Sequence, residues 1–275
     1  MHIRLGHSSD PDDAFMVWAL AERKVDLRGF EFELLAADIQ TLNEWALEGR
    51  LEVTALSLAA YPLVHDRYAL LPHGASIGRG YGPIVVTRKP MSLDDLREVE
   101  IVVPGRLTTA FLVLGLVLDG GFRHRVLDFR RILDEVREER ADAGLLIHEG
   151  QLTYADAGLA KSLDLGEWWL AQTGLPLPLG VNAVRRDVER VDELSRVLAE
   201  SIDVGLAERR AALAYAQGYA RGLDDPTADR FVDMYVNDLT RDYGEEGRRA
   251  VEELLGRAQA AGIYEDVSVD FVGAG

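Results

Sequence analysis

The sequence predicts an α/β protein built as two lobes with a ligand cleft between them. Three observations carry that expectation. Short apolar runs alternate with amphipathic stretches through the first 58 residues, the same βα pattern restarts near residue 100 after a polar connection, and from Val188 onward the chain is almost all helical. Such alternation is the signature of a mostly parallel sheet covered by helices. With 275 residues, 48% of them hydrophobic and 28% charged, the chain suits one large domain or two small ones.

Taken in order, IRLGHS opens as a first strand. Asp10, Pro11 and Asp12 then offer a cap and an early helix proline ahead of DAFMVWALAER, whose apolar residues recur at helical spacing. FEFELLA alternates as a strand does, DIQTLNEWALEGR is a helix capped by Asp38 and stopped at Gly49, and EVTALSL is the third strand. GYGPIVVT carries a further strand to Thr87, and RKPMSLDDLREVE is a polar connection leading into a short helix. The second set comprises IVVPG, a helix over residues 108–118, RVLDF, a charged helix over RILDEVREER, and the strand AGLLIH, read as parallel and buried. PLPLGVNAV is a proline-rich return into an extended run.

These readings place a first lobe at residues 1–90 plus 176–275 and a second at residues 91–175. Two α/β lobes joined by two crossings, with the C-terminal helices returning to the first, is the plan of periplasmic-binding-protein-like folds. In that plan the ligand sits between the lobes, against strand ends and helix N-termini.

A formal net charge of -17 and a pI near 4.8 argue against nucleic acid or an anionic membrane as partner, since both reward clustered Lys and Arg. There is no cysteine, and the six histidines lack metal-site spacing such as HExxH, so no metal site is expected. No cationic leader opens the chain and no 18-residue apolar run occurs, so a cytoplasmic protein is expected.

Four places combine a strand end with small and polar residues. In GHSSDPDDAF, Ser8 and Asp10 lead into a helix N-terminus, either as caps or as ligand contacts, although Asp10 and Asp13 make this helix end unattractive to an anion. In TALSLAAY, Ser57 follows an apolar strand and precedes a helix beginning near Ala59, again as a cap or a ligand contact. In VPGRLTTAF, Gly105 permits close backbone approach, and Thr108 and Thr109 at a helix start favour a carboxylate or phosphate. The fourth is His148, where a strand leaves the sheet: either a hydrogen-bonded structural residue or, with no cysteine and no GxSxG elbow to pair with, a general base or acid acting alone. Tyr154 and Tyr81 are further cleft candidates, and the tryptophans read as packing residues.

Seven stretches in order, DIQTLNEWALEGRLEVTALSLAAY, GYGPIVV, VPGRLTTAF, AGLLIHEGQLTY, DLGEWW, TGLPLPLG and YVNDLTRDYGEEG, resemble the 1,4-dihydroxy-6-naphthoate synthases of the futalosine route to menaquinone, collinearly from about Leu5 to Ile263. The resemblance implies a cytoplasmic enzyme with a type II periplasmic-binding-protein-like fold that splits cyclic dehypoxanthine futalosine, with no metal or redox cofactor. It carries the family's catalytic histidine onto His148 and its substrate contacts onto Ala55, Leu56, Ser57, Thr108 and Thr109. The substrate implied is a small aromatic carboxylate. Where family members read SPCPNDTF and often carry lysine at the position of Ala55, this chain has SSDPDDAF and alanine, which removes anion-friendly chemistry from the first lobe. Two other readings stay open: the chorismate dehydratase of the same pathway, and a solute-binding protein that captures a small carboxylate.

Overall fold

Among the residues described by the computed structural model, 1–219 and 224–273, eleven strands form two sheets. Residues 220–223, 274 and 275, which fall inside the expected first lobe, lie outside the described residues. In the first sheet β1 (His2–Ser8) runs parallel to β2 (Glu31–Ala37) and β3 (Val53–Ser57). The short strands β4 (Tyr68–Leu70) and β5 (Ser76–Gly78) follow in the same lobe. The second sheet holds β6 (Ile84–Thr87), β7 (Glu100–Val103), β8 (Arg123–Val126), β9 (Ala143–Leu146) and β10 (Ala160–Asp164), in the order β10-β6-β9-β7-β8. β11 (Leu177–Arg185) returns to the first sheet, antiparallel to β3, β4 and β5, giving β2-β1-β3-β11-β4 with β5 on β11.

Two expectations are corrected here. Ile84–Thr87 pairs with β9 and β10, so the chain crosses between the sheets at residues 81–83 and not near residue 90. An apolar four-residue run buried on both faces does not reveal which sheet it joins, and the polar stretch after it is a surface connection containing the helix Leu93–Glu98. β9 is parallel to β7 but antiparallel to β6, so the second sheet is mixed.

The crossing is tight. A Cβ added to Gly166 would stand 2.0 Å from the Tyr81 carbonyl oxygen, and one added to Gly82 would stand 3.0 Å from the Gly166 nitrogen. The Leu165 N–H donates to the Pro83 carbonyl at 2.9 Å, binding the first crossing to the start of the helix Leu165–Thr173. Behind it one apolar cluster runs through both lobes, from Leu56 and Tyr61 to Val85, Ile101 and Val113, with Leu254 and Leu255 of the helix Gly244–Ala260. Trp169 is fully buried in it and donates through Nε1 to the Pro176 carbonyl, the packing role its sequence position suggested. The helix Pro11–Ala21 buries Phe15, Met16 and Ala19 against Ile202, Ala212 and Val232 of the C-terminal helices, which returns those helices to the first lobe. Among the described residues no helix is long and apolar enough to cross a membrane.

Glu52 clamps three neighbouring strands. It accepts from the Arg4 backbone N–H and Nε, both at 2.9 Å, and from Arg4 Nη2 at 2.7 Å on β1, and lies 3.0 Å from Arg185 Nη2 on β11. Burial pushes its carboxyl up, but the hydrogen bonds and charge of Arg4, with the charge of Arg185, outweigh that and hold it at about 2. A carboxylate held below its unfolded value contributes stability that is complete above that value and is lost as pH falls through the folded one.

Glu52→Gln is therefore expected to cost about 2 kcal/mol near pH 7. It should also flatten the loss of stability between pH 4.5 and about 2, read from urea unfolding across that range. Gly166→Ala should cost about 2 kcal/mol or more, because backbone and not a flexible side chain blocks the new carbon. Gly115→Ala, in a helix interior with nothing within 4 Å of the added carbon, should be neutral or stabilising by up to about 1 kcal/mol in the same assay.

Candidate active site

The ends of β1, β3 and β9 and the start of the helix Thr109–Val117 converge on a cleft with about 670 Å³ of atom-free space, counting its open mouth. Ser8, Asp10, Asp12, Ala55, Leu56, Ser57 and Ser76 line it from the first lobe, and Thr108, Thr109, Ile147, His148 and Gln151 from the second. Phe231 and Tyr235, on the C-terminal helix Asp225–Tyr235, complete the wall.

His148 reaches the cleft by local geometry. β9 stops at Leu146, and two residues later His148 adopts a left-handed backbone, φ 55°, before the short helix Gly150–Thr153. A non-glycine residue held there is uncommon and persists where its surroundings fix it. On β9, a Cβ at Gly144 would stand 2.6 Å from Ile132 Cγ2; its absence lets the helix Phe129–Arg137 lie close. Phe129 of that helix meets the His148 ring edge-on, with centroids 4.9 Å apart and planes at 70°. His148 Nδ1 lies 3.1 Å from Asp10 Oδ2 of the opposite lobe, the two side chains being 15% and 2% exposed. The other ring nitrogen, Nε2, is buried and has no hydrogen-bond partner among the described residues. His7 and His73 play a different part: they sit behind the strands, on the Ser8 carbonyl and the Ser195 hydroxyl, and burial lowers both, His73 to about 4.

Asp10 occupies the N-cap position of the helix Pro11–Ala21, yet its side chain makes no cap bond. It accepts instead from the Ser8 hydroxyl and faces His148. The Ser8 N–H donates to Asp13 Oδ2 at 2.6 Å, and Ser76 Oγ donates to Asp12 Oδ2 at 3.0 Å. Burial, with Asp13 and Asp10 close by, pushes the Asp12 carboxyl well above the usual range. Burial pushes Asp13 up to about 7, against the pull of the Ser8 N–H. Both shifts favour the uncharged carboxyl, so this helix end is less negative than ordinary aspartates would make it.

Ser57 stands before a 3₁₀ turn, Leu58–Leu63, and its side chain makes no cap bond. Its N–H donates to Asn43 Oδ1 at 2.8 Å and its Oγ accepts from Asn43 Nδ2 at 3.0 Å, leaving the hydroxyl proton to point elsewhere. Thr108 caps the helix Thr109–Val117, accepting from the Phe111 N–H and donating to the Gly105 carbonyl at 2.8 Å. Thr109 donates to the Leu179 carbonyl at 2.6 Å and accepts from the Ala59 N–H. Both threonine protons are spent, so what faces the cleft here is the helix N-terminus itself. Tyr154 does not line the cleft; it packs against the cluster of Ile84, Val86 and Ile132, and Tyr81 donates to the Met234 carbonyl. Asn43, Ser76, Gln151, Phe231 and Tyr235 were not anticipated. Only Gln151, three residues after His148 on the next helix, carried a spacing signal.

Contacts across the cleft hold it closed. Asn43 Nδ2 donates to the Leu107 carbonyl at 3.3 Å, Thr109 reaches Leu179, and Tyr235 OH donates to Gln151 Oε1 at 2.7 Å. Tyr235→Phe removes the last of these and leaves a half-buried amide oxygen without its donor, a loss of about 1 kcal/mol. Amide hydrogen exchange across residues 147–153 is expected to quicken about fivefold with little change in global unfolding. Unchanged exchange there would mean that the tyrosine plays no part in closure.

Comparison with known proteins agrees with this architecture. Residues 3–260 match a family model described as menaquinone biosynthesis. A Thermus thermophilus protein named 1,4-dihydroxy-6-naphthoate synthase is 43% identical over 263 residues, covering 95% of each chain. A Streptomyces coelicolor protein of the same name is 36% identical, covering 98% of this chain and 96% of its own. Among solved structures, protein AF1704 from Archaeoglobus fulgidus superposes with a TM-score of 0.90 at 46% identity, over 95% of this chain and 98% of its own. The alkanesulfonate-binding protein SsuA from Xanthomonas axonopodis, solved with MOPS, superposes at 0.71 with 11% identity over 95% and 93% of the two chains, a likeness of fold alone. With its two sheets arranged as in periplasmic binding proteins and a family match over almost its whole length, the chain belongs to the menaquinone-biosynthesis family that contains the 1,4-dihydroxy-6-naphthoate synthases.

Proposed function

We propose that the protein is a cytoplasmic lyase that cleaves cyclic dehypoxanthine futalosine to 1,4-dihydroxy-6-naphthoate, with His148 as the general base. The observation that carries this reading is the His148 ring, walled by Phe129 with a buried, unpartnered Nε2 in the interlobe cleft of a family whose named members are synthases of that product. A lone-pair nitrogen within reach of a bound molecule can take its proton and start cleavage of the bond to the departing sugar-derived fragment. That chemistry is a proton transfer and calls for no cofactor. Leu56 and Phe231 offer apolar contact to a fused aromatic ring. The substrate's carboxylate suits the N-terminus of Thr109–Val117 together with the Ser57 hydroxyl, whose oxygen is already fixed by Asn43. Ala55 contributes only a small buried side chain to this wall.

Purified protein incubated with cyclic dehypoxanthine futalosine should release 1,4-dihydroxy-6-naphthoate, detected by mass spectrometry, and His148→Ala should lower kcat by about 100-fold or more while remaining folded. Absence of product from the wild type would overturn the substrate assignment. Full turnover by the variant would remove His148 from the mechanism and leave the substrate standing.

A further inference from the structure

Resting on the reading of His148 as base, we propose that Asp10 is its positioning residue, holding the imidazole proton on Nδ1 so that the Nε2 lone pair faces the bound molecule. The two residues come from opposite lobes: Asp10 follows β1 and His148 follows β9. Their 3.1 Å approach is within hydrogen-bonding distance, and Asp10, 1% exposed as a residue, has its carboxylate already oriented by the Ser8 hydroxyl. A neutral imidazole carries one ring proton, and the partner of one nitrogen decides which nitrogen is left as acceptor. A carboxylate only accepts, so facing Nδ1 it selects the form with the proton on Nδ1.

Phe129 packs edge-on against the ring and holds its plane, while the Asp10 contact favours the orientation that puts Nδ1 toward the carboxylate. When Nε2 takes a proton from the substrate, the ring becomes an imidazolium with both N–H bonds formed, and the Asp10 carboxylate stabilises the new charge without receiving the proton itself. Return of that proton to a product fragment restores the starting form, so the cycle is balanced. Because the pair spans the cleft, the base is complete only when the lobes are closed.

The test has two arms. Long-range proton–nitrogen correlation on histidine-labelled protein reports which ring nitrogen carries the proton, and His148→Ala identifies the signal. Wild type should show the proton on Nδ1, and Asp10→Asn, whose amide can also donate, should lose that pattern. In steady-state assays with cyclic dehypoxanthine futalosine, Asp10→Asn and Asp10→Ala should lower kcat by roughly 100- to 10,000-fold and change KM by less than about threefold. A merely structural role would not move the ring signal. A wild-type ring protonated on Nε2, or kcat in both variants within about threefold of wild type, overturns the proposal. Should wild type fail to turn over this substrate, the functional reading fails, and the ring spectrum still decides the role of Asp10 independently.

Discussion

Where residues 81–83 pass the start of the helix Leu165–Thr173, two backbones touch with no room for a side chain between them, and the placement of the cleft follows from that contact. It fixes where β6 begins. Ile84 then pairs with Leu146 of β9 and with Asp164 of β10, so the same register that starts β6 sets where β9 ends. His148 stands two residues beyond that end. A shift of one residue in this pairing would turn every side chain of β9 to the opposite face and carry the imidazole out of the cleft.

The buried polar groups of the cleft form a network in which nearly every proton is spent. Asn43 satisfies Ser57 with both ends of its amide, Thr108 and Thr109 close loops on each side of the helix start, and Tyr235 meets Gln151. Each such group left without a partner would cost on the order of 1 to 3 kcal/mol, so the bonds of the network favour this one arrangement of the cleft. Against that background the groups with bonding capacity still to use are few, and they are the ones the proposed chemistry needs.

Much of the first lobe was legible because its strands and helices alternate with clear caps, and Asp38 does cap its helix through the Thr41 N–H as the sequence suggested. His148 was legible from the turn after an apolar run. Three things were not. Ile84–Thr87 carries no mark of its sheet, being apolar on both faces. Tyr154 looked like a cleft residue because it stands near glycines and a strand end, yet it packs, partly buried, against the cluster of Ile132. Tyr235 and Phe231 come from a helix some eighty residues further on, and only the tertiary return of that helix brings them to the wall. For Asp10 the sequence left a cap and a ligand contact open; its side chain makes no cap bond and lies 3.1 Å from His148, 138 positions away in the other lobe.

The raised carboxyls of Asp12 and Asp13 have a consequence for the traffic of charge. Burial favours the uncharged form of both acids, with Asp13 pushed up to about 7, so their charge is sensitive to what stands beside them. A negative group brought beside them would favour the uncharged forms further, with proton uptake as the linked consequence. A negative group brought into the cleft would thus meet carboxyls already biased toward their neutral form, and not a row of ordinary aspartates.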